Sequence, residues 1–437
     1  MCSQFFEIEG GHPLKGEVTV SGAKNAANKM LVASMLSAKE SVFANVPDIG
    51  EVDIAKELVG LAGAKIREKG NHKLTIQTHQ IRQNTVPEDP EQRSRLPILM
   101  LGPLLHRAGE AILPMDSGGD RIGKRPINFH LSGFRAMGAK ITSKNGAYHL
   151  KAKKLKGAKI NLPYPSVMTT ENLIIAASLA QGVTIIKNAA LEPEIMDLIK
   201  MLQNMGAIIE VNANRRIAVE GVKKLHGVAH TVLPDRIEAG SLASAAVALS
   251  GDVFIKGAVQ EHLITFLNAL RRLGGFFEAQ KDGIRFKKTN SLSAITLETE
   301  AYPGFPTDLQ QPFAVLLTQA KGVSIIHETV YESRFGYTSE LVKMGAKIAL
   351  NQKCLGEIPC RFKTKKYKHS AVITGPTPLK ATTINVPDLR AGFSYVIAAL
   401  IAQGKSKILG VENIDRGYER IDDKLKKLGA KITRKSL

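Results

Sequence analysis

A Gly-Ala-Lys-Ile phrase, or a close variant, recurs six times after an amphipathic run, and no other feature limits the possible folds as much. The copies stand at Gly63 (LAGAKI), Gly138 (MGAKI), Gly206 (MGAII), Gly274 (LGGFF), Gly345 (MGAKI) and Gly429 (LGAKI), at intervals of 75, 68, 68, 71 and 84 residues. Such periods are too long for one helix pair and suit a small α/β unit. Six copies predict two domains of three units.

Each unit reads alike. Before the phrase lies a helix such as EIMDLIKMLQNMG, in which Ile195, Leu198, Ile199, Leu202 and Met205 fall on one face at a 3.6-residue period. The glycine then suits a helix C-terminus, and apolar residues after it begin a strand. Further upstream runs a helix of small apolar residues, as in NLIIAASLAQ, LASAAVALS, PFAVLLTQA and FSYVIAALIAQ. A helix that is apolar on every side is buried on every side. A glycine then leads into a β-branched strand such as GVTII, GDVFI or GVSII. The expected arrangement is three-fold, with buried helices inside and sheets with amphipathic helices outside.

Composition narrows the class. The 437 residues suffice for two or three domains, and 44% hydrophobic with 23% charged residues is ordinary for a globular protein. No apolar run reaches the ~20 residues that span a bilayer, and the opening MCSQFFEIEGG lacks a signal-peptide core. A cytoplasmic protein with no membrane association is expected. Cys2, Cys354 and Cys360 have neither disulfide-framework nor CxxC spacing, and no HExxH occurs, so no metal is expected. The net charge of +20 could serve a polyanion, but the lysines scatter and no aromatic residues interleave with them. Nucleic acid is therefore disfavoured as a partner.

The chemistry gathers where the buried helices begin. There the chain turns polar: SGAKNAANK (21 to 29), RSRLP (93 to 97), YPSVMTTEN (164 to 172), LPDRIEAG (233 to 240), FPTDLQQP (305 to 312) and VPDLRAG (386 to 392). Six helix starts, three per domain, offer free N–H groups and positive dipole ends to an anion. Taken singly, Asp308, Asp388, Ser21 and Ser166 are explained as N-caps and Lys24 as a solvated charge. Lys24, Asn25, Arg95, Arg236 and Arg390 together at such starts favour phosphate or carboxylate recognition. Residues 116 to 130, DSGGDRIGKRPINFH, crowd Asp120, Arg121, Lys124 and Arg125 among three glycines. That composition reads as a mobile lid carrying catalytic groups.

SGAKNAANK, SGGDRIGKRP, FPTDLQ, ETVYESRF, PDLRAG and IDRGYERI occur in an order and spacing that resembles the UDP-N-acetylglucosamine enolpyruvyl transferases, over essentially the whole chain. The resemblance implies an α/β fold of two inside-out α/β barrel domains, each of three βαβαββ-type repeats, six pseudo-repeats in all. The implied domains are 23 to 232, carrying the mobile loop 116 to 126, and 1 to 22 with 233 to 437, with the active site in the cleft between them. The implied activity moves the enolpyruvyl group of phosphoenolpyruvate to the 3-hydroxyl of UDP-N-acetylglucosamine through a tetrahedral intermediate. This is the first committed step of peptidoglycan synthesis and uses no cofactor. By motif, Lys24 and Asn25 resemble the pair that holds phosphoenolpyruvate and sugar, and Arg95 the diphosphate-region arginine. Arg125, Arg390 and Arg416 resemble the cluster around phosphoenolpyruvate. Arg125, Pro126, Ile127, Asn128 and Phe129, with Ser166 and Val167, match nucleotide-binding segments. Asp308 matches the carboxylate that activates the sugar hydroxyl, Val330 and Arg334 lie in the sugar-site segment, and Asp388 of the PDLRAG motif is among the implied substrate-binding residues. Asp120, Asp308, Lys24 and Arg390 are the implied catalytic set.

Two positions depart from the pattern. Asp120 stands where most members carry cysteine, which implies insensitivity to fosfomycin, an epoxide that traps the thiolate. Arg121, Lys124 and Arg125 hold such an aspartate ionised, so anionic substrate and lid closure must raise its pKa for it to act as an acid. Tyr164 stands where some members carry a nucleotide-contacting lysine. The alternatives are a catalytically silent sugar-nucleotide-binding paralogue and a shikimate 3-phosphate enolpyruvyl transferase. The sister family's GNAGT-like loop is replaced here by GGDRIG.

Overall fold

Each of the six repeated glycines follows a helix with its backbone in the left-handed region, at φ between 91° and 113°. In five copies the following alanine closes the helix by a 6→1 hydrogen bond: Ala64 to Val59, Ala139 to Phe134, Ala207 to Leu202, Ala346 to Leu341 and Ala430 to Leu425, each 2.9 or 3.0 Å. This is the Schellman closure, and it explains the glycine of the phrase. The sixth copy carries Gly274-Gly275, where Gly274 itself caps the helix. After every copy the chain enters a strand, Lys65–Gly70, Lys140–Lys144, Ile208–Asn212, Gly275–Gln280, Lys347–Asn351 and Lys431–Ser436.

The computed structural model describes residues 4–87, 94–115, 126–288, 291–358 and 360–436. Asp120 and Arg125, with Arg121 and Lys124, lie outside the described residues. The fold is α/β. Among the described residues the strands form five four-stranded sheets and one of three. Each four-stranded sheet has one parallel pair at an edge and is otherwise antiparallel. In the three-stranded sheet a single parallel bridge, Thr85 to Ile112, stands where the fourth strand would pair.

Two compact units result, one from Gly22 to Leu233 and the other from the first residues up to Ser21 with Pro234 onward. Strand pairing explains this division. Gln4–Glu9 inserts between Lys405–Leu409 and Lys431–Ser436, while Lys15–Thr19 runs parallel to Asp252–Lys256. In the other unit the last strand, Ala229–Thr231, runs parallel to the first, Ser41–Ala44.

Inside the sheets lie the small-residue helices. In the Gly22–Leu233 unit these are α1 (Lys24–Ser34), α2 (Leu101–Ala108, entered through a 3-10 turn at Leu96–Met100) and α3 (Val167–Ala177). In the other unit they are α4 (Arg236–Ala248), α5 (Gln310–Leu317, entered through a 3-10 turn at Thr307–Leu309) and α6 (Leu389–Ile401). In α6, every residue from Leu389 to Leu400 is buried, as expected of a helix without a polar face. Close packing explains the small side chains. A Cβ on Gly240 would lie 2.7 Å from Leu309 Cδ1, and one on Gly392 would lie 2.6 Å from Ile414 Cγ1. Helices α4, α5 and α6 pack on one another, and each unit has one continuous apolar core.

The repeated glycine predicts a specific stability pattern. At Gly138 φ is 91° and a Cβ would meet nothing within 4 Å, so Gly138→Ala isolates backbone strain. It should cost about 1–2 kcal/mol in urea unfolding. Gly60, inside the helix Gly50–Leu61 with equally open surroundings, should gain up to about 1 kcal/mol on substitution by alanine.

Candidate active site

The helix starts are the only ends at which fully buried helices can present unpaired backbone N–H groups, and they collect charged side chains. In the unit holding α4 to α6, Asp308 stands in the 3-10 turn before α5 and does not cap it. Its Oδ1 accepts from Arg334 Nη2 at 2.8 Å and its Oδ2 from Arg390 Nε at 3.2 Å. Both arginine side chains are nearly inaccessible, at 2% and 4%, whereas Asp308 is 27% exposed. The carboxylate is thus the reachable member of the cluster. Capping accounts for Asp388, whose Oδ1 accepts from the backbone N–H of Arg390 and Ala391 at 3.0 Å each. It accounts equally for Asp235, which accepts from Ile237 and Glu238 N–H at the start of α4.

Arg390 is held by more than Asp308. Its guanidinium carbon lies 5.4 Å from the centre of the Tyr418 ring, which stacks on Phe393 at 4.7 Å. Burial opposes the Arg390 charge, but Tyr418 and Asp308 outweigh it and raise its pKa above the ordinary arginine value. Nη1 and Nη2 of Arg390 are buried and meet no hydrogen-bond acceptor among the described residues. An oxyanion would satisfy them. Burial likewise opposes the Arg334 charge, and Asp308, Asp388 and Glu328 outweigh it.

Glu328 is a residue that sequence reasoning missed. It is buried, and one oxygen accepts from Val330 and Tyr331 N–H at 2.8 and 2.9 Å. The other accepts from Thr307 Oγ1 and Gln310 Nε2 at 2.9 and 3.0 Å. Burial pushes its pKa up in spite of Arg334. It therefore sets the Val330–Arg334 segment against the turn that carries Asp308. The ETVYESRF motif contained this signal, but its partners lie some 20 residues away in sequence. Arg416 is half-buried and ends the short helix Glu412–Asp415.

In the other unit, Lys24 opens α1 without a side-chain cap, and its Nζ lies 4.0 Å from Glu51 Oε1. Glu51 Oε2 accepts from Ser94 Oγ at 2.9 Å, next to Arg95 at the start of the second helix. Glu51, also missed, thereby joins two of the three helix starts. Asn25 is the second residue of α1, and its carbonyl accepts from Lys29 Nζ at 2.5 Å. Ser166 precedes Val167 at the start of α3, and its hydroxyl bonds Thr169 Oγ1 at 2.9 Å, not a backbone N–H. Pro126, Ile127, Asn128 and Phe129 enter the separate helix Asn128–Ala136. Its His130 is fully buried and accepts from Asn172 Nδ2 at 3.0 Å, which ties that helix to α3. Burial and the charge of Arg95 depress the His130 pKa to about 3, so this histidine is a neutral fixture.

A family model described as EPSP synthase (3-phosphoshikimate 1-carboxyvinyltransferase) matches residues 8–425. The chain belongs to the EPSP synthase family, and it is a transferase. Curated relatives are more specific. UDP-N-acetylglucosamine 1-carboxyvinyltransferase of Protochlamydia amoebophila is 47% identical, covering 98% of this chain and 93% of that protein. The protein of that name from Chlamydia pneumoniae is 49% identical, over 98% and 94%. UDP-N-acetylglucosamine 1-carboxyvinyltransferase 3 of Caldanaerobacter subterraneus is 41% identical, over 98% and 99%. Among solved structures, the enolpyruvyl transferase NikO from Streptomyces tendae superposes with a TM-score of 0.87 at 24% identity, covering 100% of both chains. An EPSP synthase from Acinetobacter baumannii superposes at 0.74 and 19%, covering 99% of this chain and 100% of that one. These two superpositions support the fold.

The buried Lys29–Glu171 pair, 3.4 Å apart, sets a pH dependence. Burial raises the Glu171 pKa from 4.5 to about 7, against the opposing pull of Lys29. The folded form therefore holds its proton more tightly than the unfolded one. The associated stability is present below the unfolded pKa of 4.5 and is lost as pH rises through about 7. Urea unfolding at about pH 5 and pH 8 should show a loss of up to roughly 3 kcal/mol. Glu171→Gln should flatten that difference.

Proposed function

We propose that the protein transfers the enolpyruvyl group of phosphoenolpyruvate to the 3-hydroxyl of UDP-N-acetylglucosamine with release of phosphate, the first committed step of peptidoglycan synthesis. The observation that carries this reading is Asp308, an accessible carboxylate seated between two buried arginines, one with both terminal nitrogens free for an oxyanion. The names of the relatives supply the acceptor. Their 41–49% identity favours the sugar nucleotide over shikimate 3-phosphate. In the addition step, Asp308 takes the proton of the sugar hydroxyl as its oxygen bonds C2 of the enol, and an acid protonates C3. In the elimination step, C3 loses a proton, the C2–O bond to phosphate breaks, and phosphate leaves with the electron pair.

A carboxylate paired with a guanidinium at each oxygen is a weak base. In this reading the phosphate and carboxylate of phosphoenolpyruvate compete for Arg390 and free one oxygen of Asp308. Arg125, Arg416 and Lys24 complete the anion cluster, and Asp120 is the acid. Asn25, Arg95, Pro126 to Phe129, Ser166 and Val167 hold the nucleotide, and Val330 and Arg334 hold the sugar. Asp388 keeps its capping role and fixes the backbone of Arg390. The reaction needs no cofactor, and both substrates are cytoplasmic, which is where the protein is taken to work. Among the described residues, no helix is long and apolar enough to cross a membrane. The silent-paralogue reading is disfavoured, because binding alone would not call for an accessible carboxylate between the two arginines.

The test is phosphate release from phosphoenolpyruvate with UDP-N-acetylglucosamine or shikimate 3-phosphate as acceptor. Release with the sugar nucleotide alone, undiminished by fosfomycin, is expected, and Asp120→Cys should become drug-sensitive while moving the pH–rate profile to higher pH. Release with neither acceptor, despite measurable nucleotide binding, would overturn the reading in favour of a non-catalytic paralogue. Asp308→Ala should lower kcat by about 10²–10⁴-fold with the fold retained.

A further inference from the structure

The strand ends of one sheet gather four metal-ligating side chains far from one another in sequence. Gly322–His327, Ser370–Gly375 and Lys347–Asn351 are neighbours, with Ser370 paired to His327 on one side and to Asn351 on the other. His327 ends the first of these strands, His369 precedes the second, and Cys354 and Cys360 lie in the segment after the third. One ligand atom from each lies within 4.8 Å of every other. The Cys354 Sγ to His369 Nε2 distance is already 3.3 Å. A tetrahedral zinc with two sulfur and two nitrogen ligands has edges of roughly 3.3–3.8 Å, so the set closes with a contraction of about 1 Å.

The hydrogen bonds around the histidines select the ligating nitrogens. Ser370 Oγ donates to the Lys353 carbonyl at 2.8 Å, so its 2.9 Å contact with His327 Nδ1 must be a bond that the imidazole donates. That leaves His327 Nε2 as a bare acceptor. It is fully buried and has no hydrogen-bond partner among the described residues. In His369, Nδ1 donates to the Tyr367 carbonyl at 2.7 Å, which leaves Nε2 facing Cys354. Each imidazole is therefore fixed from behind in the tautomer that a metal requires. On the sulfur side, Phe362 N–H donates to Cys360 Sγ at 3.3 Å, and the Phe362 ring stands edge-on to His369 at 5.8 Å.

The segment is also anchored from outside the cluster. Glu298 accepts from Glu357 and Ile358 N–H, each at 2.9 Å, and a Cβ on Gly356 would lie 2.1 Å from Glu298 Oε2 and 2.8 Å from His327 Cδ2. An orphaned, buried imidazole nitrogen is costly unless something binds it. We propose that His327, Cys354, Cys360 and His369 form a structural Cys2His2 zinc site. On binding, the two thiols release their protons to solvent and bind as thiolates, and the two neutral imidazoles bind through Nε2. No open coordination position remains, so the metal holds structure and performs no chemistry. What it holds is the chain from 352 to 369, whose Arg361 donates to the Val330 carbonyl beside the Asp308 cluster.

The sequence expectation of no metal rested on the absence of CxxC spacing and of an HExxH motif. The spacing here is Cys-x5-Cys-x8-His, and the fourth ligand lies 27 residues before the first cysteine. Only the register of the strands brings it in.

The test is metal analysis of untagged protein purified without chelator, followed by cobalt substitution. About one zinc per chain is expected, with cobalt-loaded protein showing the ligand-field bands of a tetrahedral ion and thiolate-to-cobalt charge transfer. Cys360→Ser should lose the charge-transfer intensity of one thiolate and bind zinc at least tenfold more weakly. Chelation should lower the melting temperature of the wild type and leave that of Cys360→Ser nearly unchanged. Two outcomes would overturn the proposal: thiols that alkylate at the same rate with and without added zinc in folded wild-type protein first stripped of metal by chelator, or a Cys354–Cys360 disulfide in freshly lysed material. Neither depends on transferase activity.

Discussion

A helix packed on every side by apolar neighbours can show its backbone polar groups only at its ends, and this constraint organises the whole molecule. Helices α1 to α6 are largely wrapped in this way, and charged side chains collect where they begin. In one unit this is where Asp308, Arg334, Arg390, Asp388 and Asp235 gather. In the other it is where Lys24, Glu51, Ser94 and Arg95 do. The small residues that allow the helices to pack closely, such as Gly240 and Gly392, are part of the same solution.

The two clusters differ in electrostatic character. Around Asp308 the arginines are buried and the carboxylate is reachable, and both terminal nitrogens of Arg390 lack an acceptor among the described residues. Around Lys24 the Glu51 carboxylate stands 4.0 Å from the ammonium. An incoming anion meets in the first case a guanidinium with directional donors and in the second a point charge.

Supporting carboxylates do much of the positioning. Glu328 and Glu51 each hold two separate pieces of chain together, and Glu238 does the same with Lys424 and Ser21. Burial raises the pKa of Glu328 and Glu238, a cost that their several hydrogen bonds offset. These residues have no composition signature. A glutamate after a strand or in a first helical turn looks the same in sequence whether it points to water or bridges two pieces of chain.

What the sequence determined by itself was everything that depends on a few adjacent residues. The left-handed glycine closing each amphipathic helix, the all-apolar helices and the polar stretches before them are local, and repetition made them legible six times over. The motifs that resemble the enolpyruvyl transferases are contiguous for the same reason. The tertiary structure decided which charges meet. Asp308 finds one arginine 26 residues away and the other 82 away, which separates its role from the capping role of Asp388. The same holds for His327, Cys354, Cys360 and His369, assembled by strand register. Side chains brought together across a sheet or between helices leave no periodic trace in the chain, because pairing geometry and not spacing sets their distance.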